Sequence, residues 1–293
     1  MNKYFITAIL AALIFVLQIE RGVFAQGSVG QIGSLVTAEY NTASMAKDKS
    51  LLTALRWASD KNTIWYTPSP VSTEEYLGKK PSLPDVMTWQ PTFAKVAMSD
   101  EWGFTTGPIS WQSVGRHKQY GEYLSLWKRN PKGEWKLAFR AISEHGKPVF
   151  KASKVLENPQ GEHYVRLRSK ARLKQRIDII ASTDQLFATI LKADNPTAFK
   201  EFYTEETRMY VPSFEPVIGE SAAQGFLTRE KLAITSEPGT TIDRSYSGEL
   251  AFSTGEATIS SGTMVKHCDY LRIWEKQEDN LWKVIVDMYI EKK

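Results

Sequence analysis

The chain has 293 residues, a formal net charge of +4 and 42% hydrophobic residues, with 9 Trp, 13 Phe and 12 Tyr among its aromatics. That apolar content suffices for packed cores and excludes a disordered chain, while the slight charge gives no ground for a nucleic-acid partner. Cys268 is the single cysteine, so no intrachain disulfide can form and stability must come from the cores.

In chain order, Lys3 precedes an apolar run from Tyr4 to Ile19, and Val23-Phe24-Ala25 puts small residues before a cut at Gln26. This layout predicts a secretory signal peptide over residues 1–25, cleaved near Ala25, and a periplasmic or extracellular mature protein. The run is short for a membrane span. No Cys follows it, which argues against a lipid anchor. Residues 26–293 suit two small domains rather than one.

The two domains are copies of one pattern. Asp100-Glu101-Trp102-Gly103-Phe104-Thr105-Thr106-Gly107 is answered by Gly248-Glu249-Leu250-Ala251-Phe252-Ser253-Thr254-Gly255. Tyr123-Leu124-Ser125-Leu126-Trp127-Lys128 is answered by Tyr270-Leu271-Arg272-Ile273-Trp274-Glu275, and Gly133-Glu134-Trp135-Lys136-Leu137 by Asn280-Leu281-Trp282-Lys283-Val284. The offsets are 148, 147 and 147, and three matches in one order at one offset indicate a duplication. The copies are expected at residues 26–145 and 166–293, with a Gly- and Pro-containing linker over 146–165.

Within the second copy, Ile179, Ile180, Leu186, Phe187, Ile190 and Leu191 recur at helical spacing until Asp194-Asn195-Pro196 breaks the run. A short helix over Thr197 to Tyr203, a strand at Met209-Tyr210-Val211 and a helical piece over Ser221 to Leu227 follow. The segments Gly248 to Ser260, Thr263 to Lys276 and Leu281 to Ile290 then read as strands, with a turn at 277–280. Helices first and an antiparallel meander last define an α+β class. No Gly-rich phosphate loop separates a strand from a helix. The basic run Arg166, Arg168, Lys170, Arg172, Lys174 and Arg176 reads either as a solvated helix face or as a contact for an anionic surface. It lacks the interleaved aromatics of a nucleic-acid stacking surface. Membrane contact is expected only through the signal peptide or this 166–176 segment.

At Thr88-Trp89-Gln90-Pro91, Tyr123…Trp127 and Trp135-Lys136-Leu137, and in the second copy at Tyr210-Val211-Pro212, Pro216 to Ala222, Tyr270…Trp274 and Trp282 to Asp287, the chain resembles the SnoaL-like and ketosteroid-isomerase-like branch of the nuclear transport factor 2-like superfamily. The resemblance implies two cone-shaped domains. In each, a curved antiparallel sheet wraps N-terminal helices and leaves a pocket at the open end, and the two sheets pack as an intrachain pseudo-dimer. That fold hosts enzymes, transport factors and assembly modules, so it does not fix the function.

Isomerases of the family place a carboxylate base before a Pro in the first long strand and a Tyr oxyanion donor in the first helix. The matching positions here are Val211 and Phe187 in the second copy and Thr67 and Ala43 in the first; neither copy keeps the pair. His117, His145, His163 and His267 are scattered, without the spacing of metal ligands, and no cofactor is expected. Asp287 and His117 are the acid/base candidates for an enzymatic alternative of the cyclase, isomerase or dehydratase type. A buried Asp287 would need a partner or a polar cavity, whereas an exposed strand edge would need neither. Trp65, Tyr66, Trp89, Trp111, Tyr123, Tyr210 and Tyr270 lie on segments that would surround the cones, as core or as the wall of an apolar site. The first copy is richer in Trp and carries an extra stretch from Val71 to Leu77 before Gly78, which favours it as the binding half. The leading expectation is a non-enzymatic pocket protein for a small apolar or aromatic molecule or a protein partner, with a scaffold of filled cones as a further alternative.

Overall fold

A computed structural model describes residues 29–78, 82–149, 153–161, 163–164 and 169–292. The expected signal peptide and the first two arginines of the basic run, Arg166 and Arg168, lie outside the described residues. The first copy opens with helices α1 (Ile32–Asp48) and α2 (Leu51–Ala58), the latter capped by the Ser50 hydroxyl accepting from the Thr53 N–H. Strands β1 (Ile64–Tyr66) and β2 (Pro70–Ser72), the short helix α3 (Thr73–Tyr76) and strands β3 (Val86–Trp89) and β4 (Phe93–Val96) follow. The long meander β5 (Trp102–Gln112), β6 (Gln119–Arg129) and β7 (Trp135–His145) completes the copy. A two-residue strand, β8 (Val155–Leu156), pairs parallel with β4, so part of the expected linker belongs to the first sheet.

The second copy repeats this order with α4 (Lys170–Ala193), α5 (Asn195–Phe202), β9 (Tyr203–Tyr210), β10 (Val217–Ile218), α6 (Glu220–Glu230), β11 (Ala233–Ser236), β12 (Thr241–Arg244), β13 (Leu250–Ser261), β14 (Met264–Lys276) and β15 (Trp282–Glu291). The hydrogen-bonded orders are β2-β1-β7-β6-β5-β4-β8 and β10-β9-β15-β14-β13-β11, with β3 and β12 pairing β5 and β13. The stretch from Val71 to Leu77 is therefore the counterpart of β10 and α6 rather than an extra piece. The register shift at Leu126/Trp127 recurs at Ile273/Trp274; such a bulge sharpens the twist that curls each sheet around its helices. Gly133 and Asn280, 147 residues apart, both hold positive φ in the last hairpin turn, where a left-handed residue is needed.

Side chains alternate across the long strands. On β6, Tyr123 and Trp127 face the cone with α1, and Leu124 and Leu126 face the other copy. On β14, Tyr270 and Trp274 face inward while Leu271 and Ile273 face outward. The outward residues of both sheets join Phe93, Trp102, Phe104, Phe139, Phe252, Val286 and Met288 in a third core between the copies. Edge-on rings set its packing, with Phe139 and Phe252 at 5.4 Å and Trp102 and Phe252 at 6.1 Å.

Around this core the polar contacts come in pairs related by the duplication. Glu249 accepts from the Met98 N–H at 2.7 Å, and Glu101, its counterpart, accepts from the Tyr246 N–H at 2.5 Å. The Ser99 and Ser247 hydroxyls lie 2.6 Å apart, each accepting the other's backbone N–H. Tyr210 meets Thr106 at 3.1 Å, and Tyr66 meets Thr254. This reciprocity is the mark of a two-fold interface, here within one chain. Charge breaks the symmetry. Lys95 pairs with Glu275 at 2.8 Å and Lys128 with Asp243 at 2.6 Å; the first copy supplies both cations and the second both anions. Lys95→Glu is expected to lower stability by about 1–2 kcal/mol, and adding Glu275→Lys should restore most of it, as read by a thermal melt of both variants.

A second polar cluster carries a pH dependence. Burial pushes the Glu122 carboxyl above its usual range, against the pull of His145 and Arg208. Burial also pulls His145 down, but Glu122 at 3.8 Å and the Gly146 carbonyl outweigh it, so His145 titrates above 6.5. Both folded-state values exceed the unfolded ones. The stabilisation is therefore complete at low pH and is lost as pH rises through these raised values. The melting temperature should fall between about pH 5 and about pH 8, and Glu122→Gln should flatten that slope.

Candidate functional site

Each cone holds a buried helix carboxylate opposite a strand arginine. In the first copy Glu39, on the apolar stripe of α1 with Leu35, Ala38 and Thr42, accepts from Trp89 Nε1 at 2.5 Å, Thr105 Oγ1 at 2.5 Å, Trp127 Nε1 at 2.9 Å and Arg140 Nη1 at 3.2 Å. In the second copy Asp184, between Ile180 and Phe187 on α4, accepts from Ser253, Arg272, Tyr270 and the Gly239 N–H. Thr105 and Ser253 are 148 residues apart and Trp127 and Trp274 are 147 apart, so much of the cage is inherited from the duplication.

The arginine is what differs. In the second copy it stands on β14, and Arg272 faces its cross-strand neighbour Asp287 on β15. Asp287 accepts from Arg272 Nε at 3.1 Å and from the Tyr203 and Tyr289 hydroxyls at 2.8 Å each. Burial alone pulls the Arg272 guanidinium down; Asp287 and Asp184 reverse this and hold it protonated. Phe187, the position matching an isomerase oxyanion donor, lies under that guanidinium with its centroid at 4.2 Å. In the first copy Ser125 stands where Arg272 does, and Arg140 stands where Asp287 does. The two tyrosines are lost as well: Ile142 replaces Tyr289 and Ser59 replaces Tyr203.

A cavity of about 280 Å³ opens in the first copy beside Ile142, the residue in the place of Tyr289. Leu55, Trp65, Tyr66, Tyr76, Met87, Trp111 and Ile142 line it, Arg140 lies at its back, and Thr67, Pro68 and Glu144 border it. Pro212, Ser213, Ile290 and Glu291 of the second copy complete the rim, and the Ser213 N–H donates to the Glu144 carbonyl at 2.7 Å. Trp65 is fixed by Tyr76, with centroids 4.8 Å apart, and by donation to Thr73. Burial pushes the Tyr76 hydroxyl above its ordinary value, partly offset by Arg140. Arg140 is 3% exposed and lies between the rings of Trp89 and Tyr123, at 4.4 and 4.8 Å. Its Nη1 serves Glu39, and its Nη2 is buried without a partner.

Of the residues expected to form a site, Trp65, Tyr66 and Trp111 meet around this cavity. Trp89 and Tyr123 sit behind it against Arg140. Tyr210 and Tyr270 do not join it: alternation turns Tyr210 to the inter-copy core, and Tyr270 fills the second cone beside Asp184. Asp287 is neither at an exposed edge nor free in a cavity, because its oxygens are taken by Arg272, Tyr203 and Tyr289. His117 is exposed in the β5–β6 turn. These two acid/base candidates are not brought together. Cys268 is buried, and burial pushes its thiol up to about 12, which makes it a poor nucleophile. Among the described residues no three His, Cys, Asp or Glu side chains converge to hold a metal ion.

No family model matches the chain, and no curated protein matches it. Solved structures do. A nuclear transport factor 2-like superfamily protein from Salmonella enterica matches at 18% identity and a TM-score of 0.33, covering 43% of this chain and 94% of that one. A putative ketosteroid isomerase from Parabacteroides distasonis matches at 16% and 0.33, covering 44% and 96%. Each match spans about two fifths of this chain and nearly all of the other, the length of one copy. An epoxide hydrolase of LEH-like type from M. tuberculosis also matches, at 10% identity and a TM-score of 0.31, covering 41% and 81%. At such identities and scores no activity of these proteins carries over to this chain.

Sequence reading missed Glu39, Asp184, Arg140 and Arg272 as the centres of the cones. The detectable trace was a single charge in an otherwise apolar setting: Glu39 and Asp184 on apolar helix stripes, and Arg272 between Tyr270 and Trp274 on inward strand positions. Asp287→Ala is expected to cost about 3–5 kcal/mol by stranding one side of a buried guanidinium, measured by denaturant unfolding.

Proposed function

We propose that the protein is an exported, non-enzymatic binder of a small apolar or aromatic molecule, taken up by the first copy, with the second copy as its folded partner and part of the rim. The observation that carries this reading is the difference between the cones. The first keeps a cavity of about 280 Å³ walled by Trp65, Tyr66, Tyr76, Trp111 and Met87, and the second carries Tyr289 in the place of Ile142, bonded to the Arg272–Asp287 pair. Aromatic and aliphatic side chains with a few polar groups among them, here Thr67, Arg140, Glu144, Ser213 and Glu291, are the usual composition of a small-molecule site, and the volume lies just below the range of roughly 300–1,000 Å³. It suits a small ring compound. Enzymatic chemistry is disfavoured because Asp287 is fully engaged and His117 stands on an exposed turn. The filled second cone fits a purely structural role for that copy.

Ligand binding to the native state raises stability with concentration, by about 2.7 kcal/mol at one hundred times Kd. A panel of small aromatic compounds should raise the melting temperature of the mature chain by several degrees, and Ile142→Tyr, which puts the second copy's side chain into the first cavity, should abolish the shift. A panel that never moves the melting temperature at saturation sinks the reading.

A further inference from the structure

The two cones give an internal comparison of one buried guanidinium in two settings. Arg272 is 0% exposed and is held by two carboxylates: Asp184 from the helix at 3.0 Å and Asp287 from the neighbouring strand at 3.1 Å. Arg140 is 3% exposed and is held by one, Glu39 from the helix at 3.2 Å. Its Nη2 is buried, has no hydrogen-bond partner, and belongs to a side chain that lines the cavity. A buried N–H left unmade costs the full desolvation of that group, more so when the group is charged. Planar guanidinium groups take carboxylates through parallel, charge-assisted bonds that are about twice as strong as neutral ones. Glu39 also accepts from Trp89, Thr105 and Trp127, and among the described residues no second carboxylate bonds Arg140 as Asp287 bonds Arg272.

We propose that the ligand of the first copy is a small monocarboxylate with a flat apolar body. Its carboxylate takes on Arg140 Nη2 the part that Asp287 takes on Arg272, and its ring lies between Trp65, Tyr76 and Trp111. This rests on the pocket reading above and adds the charge and orientation of the ligand. Arg140 is buried, whereas Glu144 is exposed and Glu291 half-buried, so the carboxylate lies toward the arginine and the apolar end toward the two glutamates.

The test is isothermal titration of the mature chain with phenylacetate and indole-3-acetate and with their amides, which keep the shape and lose the charge. The acids are expected to bind at least tenfold more tightly than the amides. Arg140→Lys, which keeps a cation for Glu39 but removes the second arm, is expected to erase that preference. Equal binding of acid and amide, or binding of amides alone, overturns the carboxylate assignment and leaves the pocket reading intact. No binding of either series, together with no response to uncharged aromatics, overturns both. Because the acid and amide are compared on the unaltered chain, a variant that fails to fold does not blunt the result.

Discussion

The meander of each copy has to be covered on both faces, and the fold follows from that need. Strands β6 and β14 carry large apolar side chains at successive positions, so one set turns into the cone and the other must be hidden elsewhere. A single cone would leave Leu124, Leu126, Phe104 and Phe139 in water. At about 25 cal/mol per Å² of apolar surface, a face of that kind is a strong reason to pair. Tandem duplication supplies the partner on the same chain, where its effective concentration is set by the linker rather than by expression. The reciprocal Glu249–Met98 and Glu101–Tyr246 contacts then fix the register of the two sheets.

Once joined, the copies were free to diverge, and their differences are complementary. Lys95 and Lys128 face Glu275 and Asp243. Two first copies placed in the same arrangement would oppose lysine to lysine, and two second copies would oppose carboxylates. The interface thus favours the unlike pair and resists like pairs, a selection made by repulsion as much as by attraction. The divergence extends to the interiors. The second cone packs Tyr289 and Tyr203 on its Arg272–Asp287 pair; the first has Ile142 in the place of Tyr289 and a cavity beside it.

Much of the architecture is legible in the sequence because long periodic segments are the easiest to read. The strands expected from Gly248, Thr263 and Leu281 begin at Leu250, Met264 and Trp282. Short elements escape: β8, β10 and β12 span two to four residues, too few for alternation to show. Helix α4 starts at Lys170, well before the apolar run at Ile179, and its first turns carry exposed Arg172 and Lys174, the solvated helix face that the basic run allows. The site was half legible. Trp65, Tyr66 and Trp111, three of the aromatic residues expected at a site, line one cavity, but whether a tyrosine faces inward depends on register, and one residue of shift changes its face. That is why Tyr210 and Trp65, both on strands next to the last meander strand, end on different sides of their sheets. The arginines were harder still. A lone charge in an apolar strand reads the same whether it is a solvated edge or the centre of a core.

The energetics of those arginines argue for a use. Replacing a buried ion pair with packed apolar residues is often neutral or stabilising, so stability alone does not explain why both cones keep one. In the second copy the cost is at least met in full, because Arg272 and Asp287 satisfy each other and two tyrosines complete the shell. In the first copy it is not: Arg140 keeps an unmade donor on a side chain that lines the cavity, one of the named sources of destabilisation. A fold that already contains the saturated solution 147 residues away had a local route to the same repair. Local departures of this sort are expected where a site trades stability for binding, and the place of the departure is the wall of the cavity.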